Sequence, residues 1–174
     1  MITIADFIDD EPWHEDKPAL SDVSIPDQIA GVHLQRIVTH GDDRGDLSVL
    51  LSSHYGDMEP IPHVYLVTAA PGSLRAWVFH RRQHDRLAYT QGDFRVGLYD
   101  LRPDSPTYGI LNVIEVGAAN KILLTIPPFV AHGVQNRGGG PASFVNMPTR
   151  AYDPSHPDKA RLSARHPGVP ACFD

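Results

Sequence analysis

The chain has 174 residues, 41% hydrophobic and 21% charged, a balance that suits one globular domain and not a disordered chain. Its formal net charge of −6 argues against broad binding of nucleic acid or of an anionic membrane, both of which need a basic face. A single cysteine, Cys172, excludes an intrachain disulfide and a zinc knuckle built on thiolates.

The opening stretch, MITIADFIDDEPWHEDKP, is acidic and broken by prolines, with neither the basic start nor the apolar run of a signal peptide. No apolar run approaches the roughly 20 residues a membrane helix needs, so a soluble, cytoplasmic protein is expected. Residues 1–25 are expected to form an arm that packs on a partner chain, a common way to cover an edge strand. HGDDRGDLSVL (40–50) reads as a tight turn around Asp-Arg-Gly. VYLVTAA (64–70) is apolar or small throughout and reads as a buried strand, ended by the Pro71-Gly72 turn. LRAWVFH (74–80) alternates, with Leu74, Ala76, Val78 and His80 on one face and Arg75, Trp77 and Phe79 on the other. FRVGLYDL (94–101) is a strand that puts Phe94, Val96 and Leu98 on one face. RPDSPTYG is a turn, followed by the strands ILNVIEVG and NKILLTIP. GVQN and ASFVNMP read as the arms of a hairpin across RGGGP, whose glycines allow positive φ. One helical turn is expected over 157–162. Many short strands at even spacing predict a sandwich or barrel.

Two stretches carry chemistry. RAWVFHRRQHDR (75–86) holds His80 on the face of Val78, and His84 by parity if the strand continues. IPPFVAHGVQN (126–136) ends a strand in two prolines, turns, and presents His132 with Asn136 four residues on. Its shape is that of the second cupin motif, P-x-G-x-x-H-x-x-x-N, with Phe129 at the usual glycine. A strand-borne histidine about 50 residues upstream strengthens that reading.

Together these segments resemble the dTDP-4-dehydrorhamnose 3,5-epimerase family and the wider set of dTDP-sugar isomerases. The resemblance runs over about residues 31–157 and rests on DDRG, LRAW, YDLRPDSPTYG, IPPFVAHG and AYDP. It implies an all-β, cupin jelly-roll barrel (double-stranded β-helix) with short peripheral helical turns. One domain would cover 1–174, with 158–174 as a C-terminal tail. It further implies that Arg44 and Arg75 hold the nucleotide diphosphate, a task that suits the planar guanidinium fork. His132 would line the substrate cavity, Tyr152 would stack on the ligand, and Trp77, Asn146 and His63 would complete the substrate-binding set.

The departures from that pattern bear on catalysis. The family's base position holds Val78, its lysine position Asp85, its acid-tyrosine position Asn146, and an acidic position Val49. The aspartate that orients the base has no evident counterpart. Some sugar isomerases similar to this family carry W-H-x-H, and here Trp77 and the second histidine, His80, are present. His80 lies about 7 Å along the strand from Val78 and is the candidate base, with Tyr152 or His132 as acid. The leading expectation is an epimerase or ketoisomerase of a dTDP-4-keto-6-deoxy sugar, acting as a homodimer. No cofactor is needed, because the ketone already acidifies the adjacent C–H bonds. Two other readings stand beside it: a metal-dependent cupin using His80, His84 and His132, and a sugar-nucleotide-binding cupin without catalysis.

Overall fold

Alternating apolar and polar side chains, punctuated by proline and glycine, divide this chain into short strands. The computed structural model describes residues 2–9, 20–53, 59–169 and 171–174. In chain order the strands are β1 (Leu20–Val23), β2 (His33–Ile37), β3 (Thr39–Asp42), β4 (Gly45–Ser48), β5 (Tyr65–Ala69), β6 (Leu74–His80) and β7 (Asp85–Gln91). They continue with β8 (Asp93–Asp100), β9 (Leu111–Gly117), β10 (Ile122–Ile126), β11 (Val130–Asn136), β12 (Ala142–Asn146) and β13 (Lys159–Arg161). A six-stranded sheet in the order β1-β2-β10-β7-β12-β5 faces a five-stranded sheet in the order β13-β6-β11-β8-β9. The pairings within both sheets are antiparallel, the arrangement of a jelly-roll barrel. Strands β3 and β4 form a separate hairpin with Asp43 and Arg44 at its turn.

The core lies between the two sheets. Phe94, Val96 and Leu98 of β8 meet Leu87, Tyr89, Leu124 and Phe144 of the opposite sheet. The face expected from FRVGLYDL is thus the buried one. Each such side chain stabilises the fold by roughly 1.5–3 kcal/mol relative to exposure. A smaller cluster of Leu20, Ile37, Ala88, Leu123 and Met147 packs with Leu50 and Leu51.

Three expectations are corrected. GVQN and ASFVNMP are not arms of one hairpin: β11 belongs to the five-stranded sheet and β12 to the six-stranded one. Asn136 explains the corner between them. Its Nδ2 donates to the carbonyls of Ala69, Ala70 and Gly140, and its Oδ1 accepts from the Gly138 amide. VYLVTAA is not a buried strand, because β5 ends its sheet and leaves Val64, Tyr65 and Leu66 exposed. Residues 157–162 form no helical turn. They give β13, which satisfies the free edge of β6, with Trp77 and Leu162 exchanging both backbone hydrogen bonds. That ladder outweighs a lone helical turn, whose nucleation is unfavourable. Of the expected N-terminal arm, residues 1 and 10–19 lie outside the described residues, and residues 20–23 pair with β2 of the same chain. One 3-10 turn, Ile4–Asp6, exposes Ile4, with Phe7 and Ile8 exposed after it.

Candidate active site

One end of the barrel gathers polar side chains from both sheets. His80 closes β6, the chain turns over residues 81–84, and Asp85 opens β7 in the facing sheet. β11 lies beside β6, with His132 opposite Val78. The Nε2 atoms of His80 and His132 stand 3.2 Å and 3.4 Å from the same oxygen, Asp85 Oδ2. The two imidazoles stack with centroids 6.0 Å apart. Gln83 donates from Nε2 to Asp85 Oδ1 at 2.7 Å, so both carboxylate oxygens are engaged. Burial by itself would raise the Asp85 carboxyl. The hydrogen bonds and charge of His132 and His80 outweigh it and hold the carboxyl far below the usual carboxylate range.

This arrangement shows what the sequence did not reveal, a buried aspartate in contact with His80, the candidate base. With Nε2 turned to Asp85, His80 presents Nδ1 to the other side. Nδ1 is buried, has no hydrogen-bond partner among the described residues, and lies 3.9 Å from Asp158 Oδ2. Asp158 is itself fixed by Arg82 and by the backbone amides of Arg82 and Gln83. The His80 side chain is 12% exposed, enough to border a cleft without being solvated.

That cleft encloses about 700 Å³, within the range of small-molecule sites. His63, Tyr65, His80, Tyr152, Asp158 and Lys159 line it, with Arg82 and Arg150 supplying further positive charge. The His63 and Tyr65 rings lie 5.2 Å apart, and Lys159 Nζ sits 5.6 Å from the centre of the Tyr152 ring. Arg86 holds two walls together, donating to the carbonyls of Met147, Glu59 and Pro60. Asn146 is buried at the cleft's root, its Nδ2 donating to the Tyr65 hydroxyl at 2.8 Å.

The expected site residues therefore separate. His80, His63 and Tyr152 line the cleft; His132 and Asn146 stand behind it, each bonded to a neighbour of the cleft. Trp77 is not a wall of this cleft. It is buried on another face of β6 against Phe173, their ring centroids 5.3 Å apart. Gly97 makes room there, since a Cβ on it would come within 2.9 Å of both rings. Arg75 is exposed and does not line the cleft. Arg44 sits at the tip of the β3–β4 hairpin, its side chain 85% exposed and paired with Asp42, away from the cleft lining of its own chain. His84 is not part of a three-histidine set. It faces Glu59 at 3.4 Å, while Asp85 takes the third place beside His80 and His132. Phe129 keeps the backbone shape of the glycine it replaces, with φ of +60°, and packs on Phe79.

Sequence reasoning missed Tyr65 and the role of Asp85. Tyr65 is hidden in an apolar run, and only the strand register puts it across from Asn146.

Comparison with known proteins agrees with the fold and gives the family. The model of the dTDP-4-dehydrorhamnose 3,5-epimerase family matches residues 26–169. The spore coat polysaccharide biosynthesis protein SpsL of Bacillus subtilis (strain 168) is 34% identical over 134 residues, 77% of this chain and 89% of that one. The probable low-salt glycan biosynthesis epimerase Agl13 of Haloferax volcanii is 34% identical over 136 residues, 77% of this chain and 87% of that one. A crystal structure of a dTDP sugar isomerase from Desulfovibrio desulfuricans G20 superposes with a TM-score of 0.77 at 26% identity, over 83% of this chain and 91% of that one.

Proposed function

Since the chain belongs to the dTDP-4-dehydrorhamnose 3,5-epimerase family and is an isomerase of that kind, we propose that it epimerises a dTDP-4-keto-6-deoxy sugar with His80 as the base. The observation that carries this reading is the Asp85–His80 pair. A buried carboxylate holds Nε2, Nδ1 has no hydrogen-bond partner among the described residues, and the His80 side chain lines the cleft. His80 takes the proton from the carbon next to the 4-keto group, and the electron pair moves into the enolate. Orientation of the imidazole by a buried aspartate is a recurrent way to build a base.

Arg150 and Lys159 at the cleft support a seat for the diphosphate, and Tyr152 a face for the thymine or sugar ring. Arg44 and Arg75 do not line the chain's own cleft, so a clamp made from them would serve a partner's cleft. A homodimer is part of this proposal. It is supported by β5, an unpaired edge among the described residues with Val64 and Leu66 exposed, and by the exposed Ile4, Phe7 and Ile8 near the N-terminus. The reading also extends to one catalytic domain acting in the cytoplasm, where nucleotide sugars are made. The test is direct: purified protein incubated with dTDP-4-keto-6-deoxyglucose yields an epimer resolved by NMR. No product, with no dTDP binding up to millimolar, would remove the proposal.

A second reading rests on the His80–Asp85–His132 cluster, whose ligand atoms all lie within 4.8 Å of one another. Two imidazoles and a carboxylate form the ligand set of a divalent transition-metal site. Metal analysis of protein purified without a histidine tag separates the readings. A stoichiometric metal favours the metal-dependent cupin, and metal-free protein with full turnover favours the epimerase as written.

A further inference from the structure

Tyr65 and Asn146 are direct partners across β5 and β12, so their side chains rise from the same side of the sheet. Asn146 is 2% exposed and fixes the Tyr65 oxygen from beneath, with its Nδ2 donating to it at 2.8 Å. In this bond the tyrosine oxygen is the acceptor. Its own O–H has no acceptor among the described residues and is available to a ligand. Tyr65 is 41% exposed and lines the cleft together with His80.

From this geometry we propose that Tyr65 is the catalytic acid of the cleft and Asn146 its positioning residue. The inference rests on the epimerase reading and completes it with Tyr65 in the place of Tyr152 or His132, the acids expected from the sequence. Burial and the nearby Asp85 charge raise the Tyr65 hydroxyl above its ordinary value, against the lowering effect of the Asn146 bond, so the phenol holds its proton at neutral pH. The Asn146 amide then stabilises the phenolate as the proton leaves.

The proton balance closes. His80 removes the proton from the carbon beside the ketone, and that C–H pair becomes the enolate. Tyr65 delivers its O–H proton to the same carbon from the opposite face. The enolate pair forms the new C–H bond and the ketone is restored. The Tyr65 phenolate takes a proton from water and the His80 imidazolium releases one to water, which returns the site to its starting state.

The test follows dTDP-4-keto-6-deoxyglucose in D2O by NMR, reading two events separately: deuterium entry at the carbon beside the ketone, and inversion there. In Tyr65→Phe, deuterium still enters, because His80 can remove and return a proton on one face. Inversion falls by about 10²–10⁴-fold, with KM changed far less. The double variant Y65F/N146Y restores inversion at least in part, since residue 146 lies opposite residue 65 and can bring a phenol to the same place. Inversion at the wild-type rate in Tyr65→Phe overturns the proposal. So does joint loss of deuterium entry and inversion in a variant that still binds dTDP. A wild-type protein with no deuterium entry fails the epimerase reading and takes this proposal with it, whereas an active wild type with an unaffected Tyr65→Phe fails this proposal alone.

Discussion

Asp85 and Asp100 are both buried carboxylates held far below the usual range, yet they sit in opposite kinds of surroundings. Asp100 is fully satisfied. Arg102 grips both of its oxygens at 2.7 Å and 2.8 Å, and Ser105 and Thr107 each donate to Oδ2 at 2.7 Å. Arg102 also ties the loop to the Ala30 carbonyl. That network is YDLRPDSPTYG closing on itself, and no group in it lines the large cleft. Asp85 instead meets two histidines at 3.2 Å and 3.4 Å, longer than ordinary charge-assisted bonds, and one of their nitrogens, His80 Nδ1, has no hydrogen-bond partner among the described residues. A polar cluster with every bond made rigidifies a fold. One with a bond in reserve is placed to handle a proton.

Variants can break this contrast, beginning with the largest effect. His80→Ala should lower turnover by about 10²–10⁴-fold while circular dichroism stays that of the wild type. Asp85→Asn should lower turnover by about 10²-fold, because the amide no longer holds the imidazole as a carboxylate does, and steady-state kinetics will show it mainly in kcat. Asp100→Ala should do the reverse. It strips Arg102 of its carboxylate in a largely buried setting, so urea unfolding should show a loss of about 3 kcal/mol, with kcat of the folded protein unchanged.

Acid titration sharpens the same contrast. Both carboxyls are depressed in the folded state, so the unfolded chain binds more protons as pH falls. Their stabilisation is fully present above the unfolded carboxyl value near 4 and is lost progressively as pH falls below it toward the lower folded values. Urea midpoints measured from pH 6 down to pH 2 should fall, and Asp100→Asn should flatten that fall. The smallest effect belongs to Arg44→Ala. Its guanidinium is solvated at a hairpin tip, so the thermal midpoint should match the wild type.

Much of the barrel was legible because alternation records which face of a strand is buried, as in Phe94, Val96 and Leu98. What alternation does not record is which strand lies beside which. RGGGP carries the turn chemistry of a hairpin, and only the bonds of Asn136 show that it crosses between sheets. The site follows the same division. His80 was legible as a histidine at the end of a strand. Asp85 was not, because the resemblance puts a lysine at its position and its role depends on the facing sheet. Tyr65 reads as core in an apolar run, and only the strand register sets it across from Asn146. Trp77 stood beside His80 in sequence, yet the strand turned it under Phe173.

The central claim is that His80 removes a proton from a carbon beside a ketone. The most direct measurement is deuterium entry into dTDP-4-keto-6-deoxyglucose in D2O, compared between wild type and His80→Ala. The account predicts entry at C3, C5 or both with the wild type and entry at least about 100-fold slower with the variant. Equal entry with both proteins would contradict it.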